Sequence, residues 1–335
     1  MKAVVFDGQN ISLKEIPKPE FKDSQVLIRV KASGICGTDL AIIKGHLPTP
    51  TPLILGHEFA GEIVEVGKKV SPDWLGKRVT SEINSNIDFD CYFCQRKIFT
   101  QCISRRALGI DINGYFAEYI AVESYLLHEL PDIISYKEAT FIEPLAAAYQ
   151  TFETMPLEDE DRIIAIFGLG KLGLLLAQVA LINGLEVIAI DGSDKKLSIA
   201  KKYGAKLLIK RFEVDNVVDK IKDITNNLGA DIVVDTTGNP EALIDIVASC
   251  KSRGKIHIKS THGLLTPINF ADIVIREITV YTSRCGPFEK AIGGLRSKLV
   301  KVNDLISKEY NLENVKDAFA VYDLNKDFIK AIIVI

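Results

Sequence analysis

The chain has 335 residues, of which 47% are hydrophobic and 25% are charged, the composition of an ordinary soluble globular protein. Its length favours an organisation in two domains. Lys and Arg total 41 against 44 Asp and Glu, for a formal net charge of −3. This balance argues against nucleic-acid binding, which needs a basic excess, and against attachment to a membrane through a basic segment. The start of the chain lacks the basic-then-apolar form of a secretory signal, so we expect a soluble, cytoplasmic protein.

The first part of the chain is predicted to be rich in β-strands. Short apolar runs separated by Gly and Pro occur at Val26–Val30, Ala60–Val66 and Phe116–Val122. This alternation is typical of strands joined by turns.

Candidate zinc ligands are spread over this β-rich part. They are Cys36, His57 and, as alternatives for an acidic ligand, Glu58 and Glu143. Thiolate, imidazole and carboxylate groups are good zinc ligands, and a catalytic zinc keeps one position open for water or substrate. For the cysteine or the histidine taken alone, a buried core residue is the simpler interpretation.

Two residues close to Cys36 are predicted to support this metal. Asp39 could accept a hydrogen bond from the ring nitrogen of His57 that does not bind the metal. Thr38 would lie beside the metal, where its hydroxyl could hydrogen-bond a bound alcohol.

Three of the six cysteines lie in one short segment. Cys91 and Cys94 form a Cys-x2-Cys pair, and Cys102 follows them. In a cytoplasmic protein this spacing indicates a metal site before it indicates a disulfide.

From about residue 150 onward, apolar strand runs alternate with helical segments. The strand runs are Arg162–Phe167, Leu185–Ile190, Lys206–Ile209, Asp231–Val234 and Lys255–Lys259, and the helical segments include Lys171–Ile182 and Asp194–Tyr203. Strands and helices in alternation predict right-handed βαβ crossovers and a doubly wound parallel sheet. The tail ends in the strand-like run Ala331–Ile335, and pattern alone assigns it to neither part.

A glycine-rich motif follows the first strand run of this second part. Residues 168–173 read Gly-Leu-Gly-Lys-Leu-Gly, which matches G-x-G-x-x-G between a strand and a helix. Gly168 permits the tight turn, Gly170 lets the backbone approach a pyrophosphate, and Gly173 lets the helix pack on the sheet. With Lys171 and Leu172 they form the predicted phosphate-binding loop, since a helix N-terminus attracts anions.

Asp191 ends the next strand run and is predicted to select the cofactor. A carboxylate there can accept hydrogen bonds from the adenosine ribose hydroxyls and would repel a 2′-phosphate, which favours NAD over NADP. Lys195 and Lys196 lie just beyond it and weaken this preference. The alternative is a glycine-rich turn in a domain that binds no nucleotide.

The sequence resembles the zinc-dependent medium-chain dehydrogenase/reductase family, which includes alcohol, polyol, sugar and threonine dehydrogenases. Residues 56–70, GHEFAGEIVEVGKKV, reproduce the family signature G-H-E-x2-G-x5-G-x2-V over its whole length. Four further segments match in order, at residues 34–39, 143–146, 168–173 and 235–240. The resemblance covers essentially the whole chain.

This resemblance implies an α/β architecture with one domain inserted into another. Residues 1–146 and 286–335 would form a GroES-like β-barrel catalytic domain, and residues 147–285 a Rossmann dinucleotide-binding domain. The tail would then belong to the catalytic domain. Thr237 and Gly238, in the segment 235–240, would close over the cofactor. The segment Ile278–Thr282 would be an edge strand that pairs across a subunit interface, in a homodimer or homotetramer.

The resemblance also implies roles for the candidate ligands. Cys36 and His57 would bind the catalytic zinc, and Glu58 and Glu143 match positions that ligate or exchange at the metal in polyol and threonine dehydrogenases. Classical alcohol dehydrogenases usually have a cysteine in place of Glu143, so the chain looks closer to the polyol, sugar and threonine branch.

Two positions depart from the family pattern. The family's structural zinc is held by four cysteines spaced C-x2-C-x2-C-x7-C, and Asp88 stands at the first of these positions. A mixed Asp88, Cys91, Cys94 and Cys102 site, a weakened site and an empty site are the alternatives. Ala41 replaces a histidine that many relatives carry, so the route of the proton to solvent must differ.

The implied activity is zinc-dependent oxidation of a small polar alcohol, with hydride transfer to NAD. The substrate would be a polyol, a sugar, L-threonine or a secondary alcohol, oxidised to its carbonyl. The alternatives on the same scaffold are a zinc-free quinone or enone reductase and a catalytically inactive nucleotide-binding protein. The intact set of Cys36, Thr38, His57 and Glu143 argues against both.

Overall fold

The computed structural model describes residues 1–335, which divide into two compact units. The first comprises Met1–Glu143 and Phe288–Ile335, and the second comprises Pro144–Pro287. None of the helices is both long and apolar enough to cross a membrane.

The regular elements are numbered in chain order. The strands are β1 (Lys2–Phe6), β2 (Ile11–Glu15), β3 (Gln25–Gly34), β4 (Leu53–Ile54), β5 (Glu58–Val66), β6 (Arg78–Ser81), β7 (Asn84–Ser85), β8 (Arg106–Ala107), β9 (Tyr119–Glu123), β10 (Leu127–Glu129), β11 (Ile163–Phe167), β12 (Glu186–Asp191), β13 (Leu207–Lys210), β14 (Ala230–Asp235), β15 (Cys250–Ile258), β16 (Thr279–Thr282), β17 (Ile306–Asn311) and β18 (Lys330–Val334). The helices are α1 (Gly37–Ile43), α2 (Tyr136–Ala139), α3 (Ile142–Thr154), α4 (Lys171–Ile182), α5 (Asp194–Tyr203), α6 (Val217–Ile224), α7 (Ala242–Ser249), α8 (Phe270–Ile275), α9 (Phe288–Arg296) and α10 (Val315–Leu324).

The first unit is built around the long strand β3. One side of β3 pairs antiparallel with β5. The other side pairs with β9 over residues 25–29 and with β18 over residues 32–34. Val26, Ile28 and Val30 are fully buried, as expected for alternate residues that face a core. The C-terminal strand therefore completes the same sheet as the N-terminal part of the chain.

The second unit is a six-stranded sheet of parallel strands in the order β13-β12-β11-β14-β15-β16. Its central strands are buried along nearly their whole length, as in sheets covered by helices on both faces. The chain moves outward from β11 to β13 on one side and then returns to β14 on the other. This reversal of strand order is the point at which open α/β sheets bind ligands, at the carboxyl ends of the strands.

Several predicted boundaries differ from the observed ones. The run Phe116–Val122 was expected as a strand, whereas β9 begins at Tyr119, after backbone contacts of Phe116 with Leu55 and Val4. The strand predicted at Lys255 begins earlier, at Cys250, because its first residues pair with β14 across a bulge. The predicted helices α4 and α5 have the observed bounds, and α5 ends at the left-handed Gly204.

Candidate metal centre and dinucleotide-binding loop

Cys36 is positioned by the start of helix α1. It is the residue that precedes the helix, and its backbone N–H donates to Asp39 Oδ2 at 2.8 Å. A carboxylate three residues into a helix commonly accepts such a bond and thereby stabilises the N-terminus. The side chain of Cys36 is partly exposed, and Thr38 Oγ1 lies 3.9 Å from its sulfur.

His57 and Glu58 are placed by the turn that leads into β5. Gly56 adopts a left-handed backbone with φ of +94°, and a Cβ there would lie 2.9 Å from the Phe116 ring. Only glycine accommodates this conformation and this close packing. His57 is buried and Glu58, the first residue of β5, is fully buried.

The structure brings three of the predicted ligands together. One donor atom each from Cys36, His57 and Glu58 lies within 4.8 Å of the others. Thiolate, imidazole and carboxylate are a donor set that zinc prefers, and it leaves a coordination position open. Glu143, in the first turn of α3, lies outside this group.

Asp39 contacts both His57 and the backbone of Cys36. Its Oδ1 lies 3.3 Å from His57 Nδ1, although neither atom makes a well-aligned hydrogen bond. Burial opposes the charged imidazolium, but Asp39 and Cys36 outweigh it and hold the pKa of His57 well above its usual range. The other ring nitrogen is left for a metal, as anticipated for a carboxylate–histidine–zinc arrangement.

Lys330 is a component of this site that the sequence interpretation missed. Its ammonium group forms a short ion pair with Glu58 Oε2, and both residues have 0% exposure. It also lies 4.8 Å from the centroid of the Phe141 ring. A Cβ on Gly34 would overlap it, so a larger residue at this position of β3 would displace the pair. The sequence feature that could have indicated this residue is a single lysine at the start of the otherwise apolar strand β18.

The second predicted metal site is formed by loops. Donor atoms of Asp88, Cys91, Cys94 and Cys102 lie within 4.8 Å of one another. Asp88 Oδ1 accepts the backbone N–H groups of Asp90 and Cys91, each at 2.9 Å, and Cys102 Sγ lies 3.2 Å from Asp88 Oδ2.

The electrostatics of these loops favour an anionic Asp88. The backbone N–H groups of Cys91 and Asp90 hold the pKa of its carboxyl well below its usual range. Burial raises the pKa of the Cys94 thiol to about 12. Zinc at this position would bind the thiolate and displace its proton, and three sulfurs with one carboxylate are an acceptable set of ligands for it.

The glycine-rich loop has the conformation of a phosphate cradle. Gly168 has φ of +88°, and a Cβ on Gly173 would overlap the carbonyl oxygen of Gly168. Gly170 precedes α4, and the space around its Cα is open. The N-terminus of α4, with Lys171 and Leu172 in its first turn, is therefore able to receive a pyrophosphate.

Asp191 lies at the carboxyl end of β12, beside this loop. Its Oδ2 accepts the N–H of Leu169 at 2.7 Å, and its Oδ1 accepts the N–H of Ser193 at 2.9 Å. These bonds fix the carboxyl group next to the loop. Thr237, after β14, donates its N–H and hydroxyl to Asp235 Oδ1, and the N–H of the left-handed Gly238 donates to Ser260 Oγ.

Comparison with known proteins decides the family. The chain matches the family models of the alcohol dehydrogenase GroES-like domain over residues 22–132 and of the zinc-binding dehydrogenase domain over residues 172–299. D-arabitol-phosphate dehydrogenase of Enterococcus avium is 34% identical over 313 residues, which cover 91% of this chain and 88% of that protein. The chain belongs to the zinc-dependent medium-chain dehydrogenase/reductase family.

Further relatives in this family agree with that result. Sorbitol dehydrogenase of Halalkalibacterium halodurans is 32% identical and covers 92% of both chains. The crystal structure of galactitol-1-phosphate dehydrogenase from Escherichia coli superposes with a TM-score of 0.90 at 27% identity, covering 100% of both chains. The predicted family and the predicted α/β fold class, a GroES-like domain with a Rossmann-type parallel sheet, are confirmed. The zinc-free reductase and inactive-protein alternatives gain no support from these relatives.

Proposed function

We propose that the protein oxidises a secondary hydroxyl group of a sugar alcohol to the ketone, using a nicotinamide cofactor and zinc. The observation that carries this proposal is the convergence of Cys36, His57 and Glu58 to within 4.8 Å, with Asp39 behind the imidazole. The relatives that act on arabitol phosphate, sorbitol and galactitol phosphate support the substrate class.

Cys36, His57 and Glu58 would hold the zinc, which when bound acts as a Lewis acid that lowers the pKa of an alcohol. Glu58 is proposed as the acidic ligand because it belongs to the converging group, and Lys330 holds one of its two oxygens. Glu143 is the alternative. Zinc content of Glu58→Gln and Glu143→Gln variants distinguishes them, since loss of the true ligand weakens the metal more.

Thr38 is proposed to receive the alcohol proton. Its hydroxyl lies near the Cys36 sulfur and can accept a hydrogen bond from a substrate hydroxyl beside the metal. Ala41 has no titratable group, so the proton leaves this hydroxyl by a route other than a side chain at position 41. When bound, the nicotinamide would accept the hydride, chemistry that belongs to the cofactor, while the protein would align the two reactants.

NAD is proposed as the preferred cofactor. The support is Asp191, held in place by the N–H groups of Leu169 and Ser193, because a carboxylate there accepts hydrogen bonds from the ribose hydroxyls and repels a 2′-phosphate. Gly168, Gly170, Lys171, Leu172 and Gly173 would cradle the pyrophosphate, and Thr237 and Gly238 would lie over the cofactor.

A second zinc is proposed at Asp88, Cys91, Cys94 and Cys102, in a structural role. The support is the convergence of all four side chains and the low pKa of Asp88. Metal analysis of the purified protein should give about two zinc ions per subunit, one for each donor group. A value near one zinc ion per subunit would show that the loop site holds no zinc.

We further propose that the protein is cytoplasmic and that its two domains comprise residues 1–146 with 286–335 and residues 147–285. We also propose that it forms a homodimer or homotetramer. The strand β16 is an edge of its sheet, and Val280 on it, like Val274 and Ile275 on α8, is exposed. An exposed edge strand next to exposed apolar side chains is suited to pair with a second copy. Sedimentation of the purified protein would test this, and a monomer at micromolar concentration would contradict it.

The experiment that tests the activity is a substrate panel with NAD⁺ and NADP⁺. It should include sorbitol, galactitol, arabitol and their phosphates, with L-threonine, aldoses and simple secondary alcohols. We expect the largest kcat/KM for a sugar alcohol or its phosphate with NAD⁺. Turnover confined to enones, or absent from every alcohol despite tight NADH binding, would contradict the proposal.

A further inference from the structure

Three buried polar side chains alternate along the strand β15 and its first following residue. They are Lys255, His257 and Lys259, and because alternate residues of a strand point to the same side, they share one face. A buried parallel strand is ordinarily apolar, and a buried ammonium group is costly unless it is hydrogen-bonded. The lysine at the carboxyl end of this row makes contacts that suggest a role.

Lys259 joins three elements at the carboxyl edge of the sheet. It is 8% exposed and immediately follows β15. Its ammonium group donates to the carbonyl oxygen of Ala147 on α3 at 2.9 Å. It also donates to the carbonyl oxygen of Ser283, just after β16, at 3.2 Å and to the Ser283 hydroxyl at 2.9 Å. One side chain thereby links β15, β16 and α3.

His257 continues this network toward the interior. Its Nε2 lies 3.3 Å from Ser283 Oγ and 3.4 Å from Thr154 Oγ1. Burial, reinforced by the charge of Lys259, lowers the pKa of His257 to about 3. The ring is therefore neutral at physiological pH, and the cation of the network is Lys259.

The backbone that Lys259 holds, Ser283–Gly286, lies tightly against α3. A Cβ on Gly286 would overlap the carbonyl oxygen of Ala146. Cys285 adopts φ of +57°, a left-handed conformation that is uncommon outside glycine. Such conformations persist where the surroundings determine them, and they cluster at functional sites.

The position of this segment relative to the switch in strand order indicates what it contacts. The loop after β11 is the pyrophosphate site, and Asp191 after β12 marks the adenosine side. The other nucleoside of a dinucleotide lies across the switch point, over the carboxyl ends of β14, β15 and β16. Lys259 and the Ser283–Gly286 segment follow two of these three strands.

We infer that Lys259 is a positioning residue for the nicotinamide half of the cofactor, acting by fixing the Ser283–Gly286 segment against α3. This inference rests on the proposed placement of the dinucleotide on the second unit. Lys259 thereby has a different role from the glycine-rich loop and Asp191, which would contact the adenosine diphosphate half of the cofactor.

The test compares two ligands that share the adenosine diphosphate half. NADH carries the nicotinamide, whereas ADP-ribose lacks it. In Lys259→Met, which removes three hydrogen bonds of a charged donor, the Kd of NADH should rise about tenfold. The Kd of ADP-ribose should stay at the wild-type value, and kcat should fall along with the affinity for NAD⁺.

Lys255→Met is the matched control. Lys255 is also buried, at 5% exposure, on the same face of β15, but it pairs with Asp161 at 2.7 Å toward the other end of the strand. This variant should lose stability and still bind NADH and ADP-ribose with wild-type affinity. The same NADH-selective weakening in Lys255→Met would show that the effect is general destabilisation, and would overturn the inference.

The remaining outcomes also decide the question. Unchanged NADH affinity in Lys259→Met, or equal loss of both ligands, would overturn the role of Lys259 while leaving the dinucleotide site intact. Binding of neither ligand by the wild-type protein would mean that the proposed placement is wrong. Should Lys259→Met fail to fold, Ser283→Ala should show the same NADH-selective loss at about threefold, the size expected for one hydrogen bond.

Discussion

The two groups of candidate metal-binding side chains are built in different ways. Cys36, His57 and Glu58 lie at the ends of regular elements, α1 and β5. They are oriented by other side chains that are not themselves candidate metal ligands. In the loop site, Asp88 and the three cysteines lie in irregular chain, and the donors are hydrogen-bonded chiefly to one another and to neighbouring backbone N–H groups.

This difference indicates which site depends on its metal for shape. The first group has Asp39 against its histidine and Lys330 against its glutamate, so its geometry is fixed by the fold and a metal can keep an open position. At the loop site, the Phe89–Phe99 ring contact and the Asn86–Ser104 hydrogen bond help to close the loops, but the four candidate ligands contact chiefly one another and backbone N–H groups. We therefore expect metal loss to remove turnover at the first site and stability at the second.

The largest effect is expected from substitutions in the group formed by Cys36, His57 and Glu58. Cys36→Ser or His57→Ala removes a ligand of the Lewis acid, which supplies several kcal/mol of charge stabilisation in the transition state, so kcat should fall by roughly three orders of magnitude. NADH affinity, measured by fluorescence titration, should stay at the wild-type value. Undiminished turnover would exclude these residues as ligands.

The next effect concerns the ion pair behind the first group. Lys330→Met removes the cation that pairs with the buried Glu58 carboxylate, so the free energy of unfolding should fall by about 3–5 kcal/mol. The double variant Glu58→Gln with Lys330→Met should recover part of this loss, since it removes both charges. Urea-induced unfolding measures the free energy of unfolding of the single and the double variant.

An exposed ion pair provides the control for that experiment. Lys137 and Glu309 form a surface pair at 2.7 Å, and Lys137→Met should cost less than about 1 kcal/mol. If Lys330→Met costs no more than this surface variant, the buried pair is not an organising feature of the site.

The loop site should respond in the opposite way from the first group. Cys94→Ser should reduce bound zinc from about two ions to about one per subunit, because it removes a ligand of the proposed four-coordinate site. The melting temperature should fall, while kcat at saturating substrate in the cold should change little. A loss of turnover without any loss of stability would reverse the roles assigned to the two sites.

The smallest expected effect concerns cofactor choice. Asp191→Ser removes the charge that repels a 2′-phosphate, so the ratio of kcat/KM for NAD⁺ over NADP⁺ should drop roughly tenfold, the result of about 1.4 kcal/mol. Steady-state kinetics with both cofactors measure it. An unchanged ratio would show that residues other than Asp191 determine the preference between NAD⁺ and NADP⁺.

The parts of the molecule that the sequence pattern alone predicted, without the family resemblance, are local in the chain. The glycine-rich loop, α4 and Asp191 lie within one βαβ unit, where periodicity and turn residues determine the structure. The loop metal site was likewise visible because its donors fall within one short segment. A contiguous pattern can be interpreted without knowing how distant segments meet.

The missed parts depend on contacts between distant segments. Glu58 and Lys330 are 272 positions apart, and only the pairing of β18 with β3 brings them together. Lys259 meets Ser283 and Ala147 because β15, β16 and α3 converge at one edge.

The most direct test of the central claim is zinc-dependent turnover of a sugar alcohol by the metal-stripped protein. Stripped wild-type protein should be inactive with NAD⁺ and should regain turnover in proportion to the zinc added back. Stripped Cys36→Ser protein should not regain it, and Cys94→Ser should regain it at low temperature. Full turnover of a sugar alcohol by stripped wild-type protein, with zinc analysis confirming that no metal remains, would contradict the account.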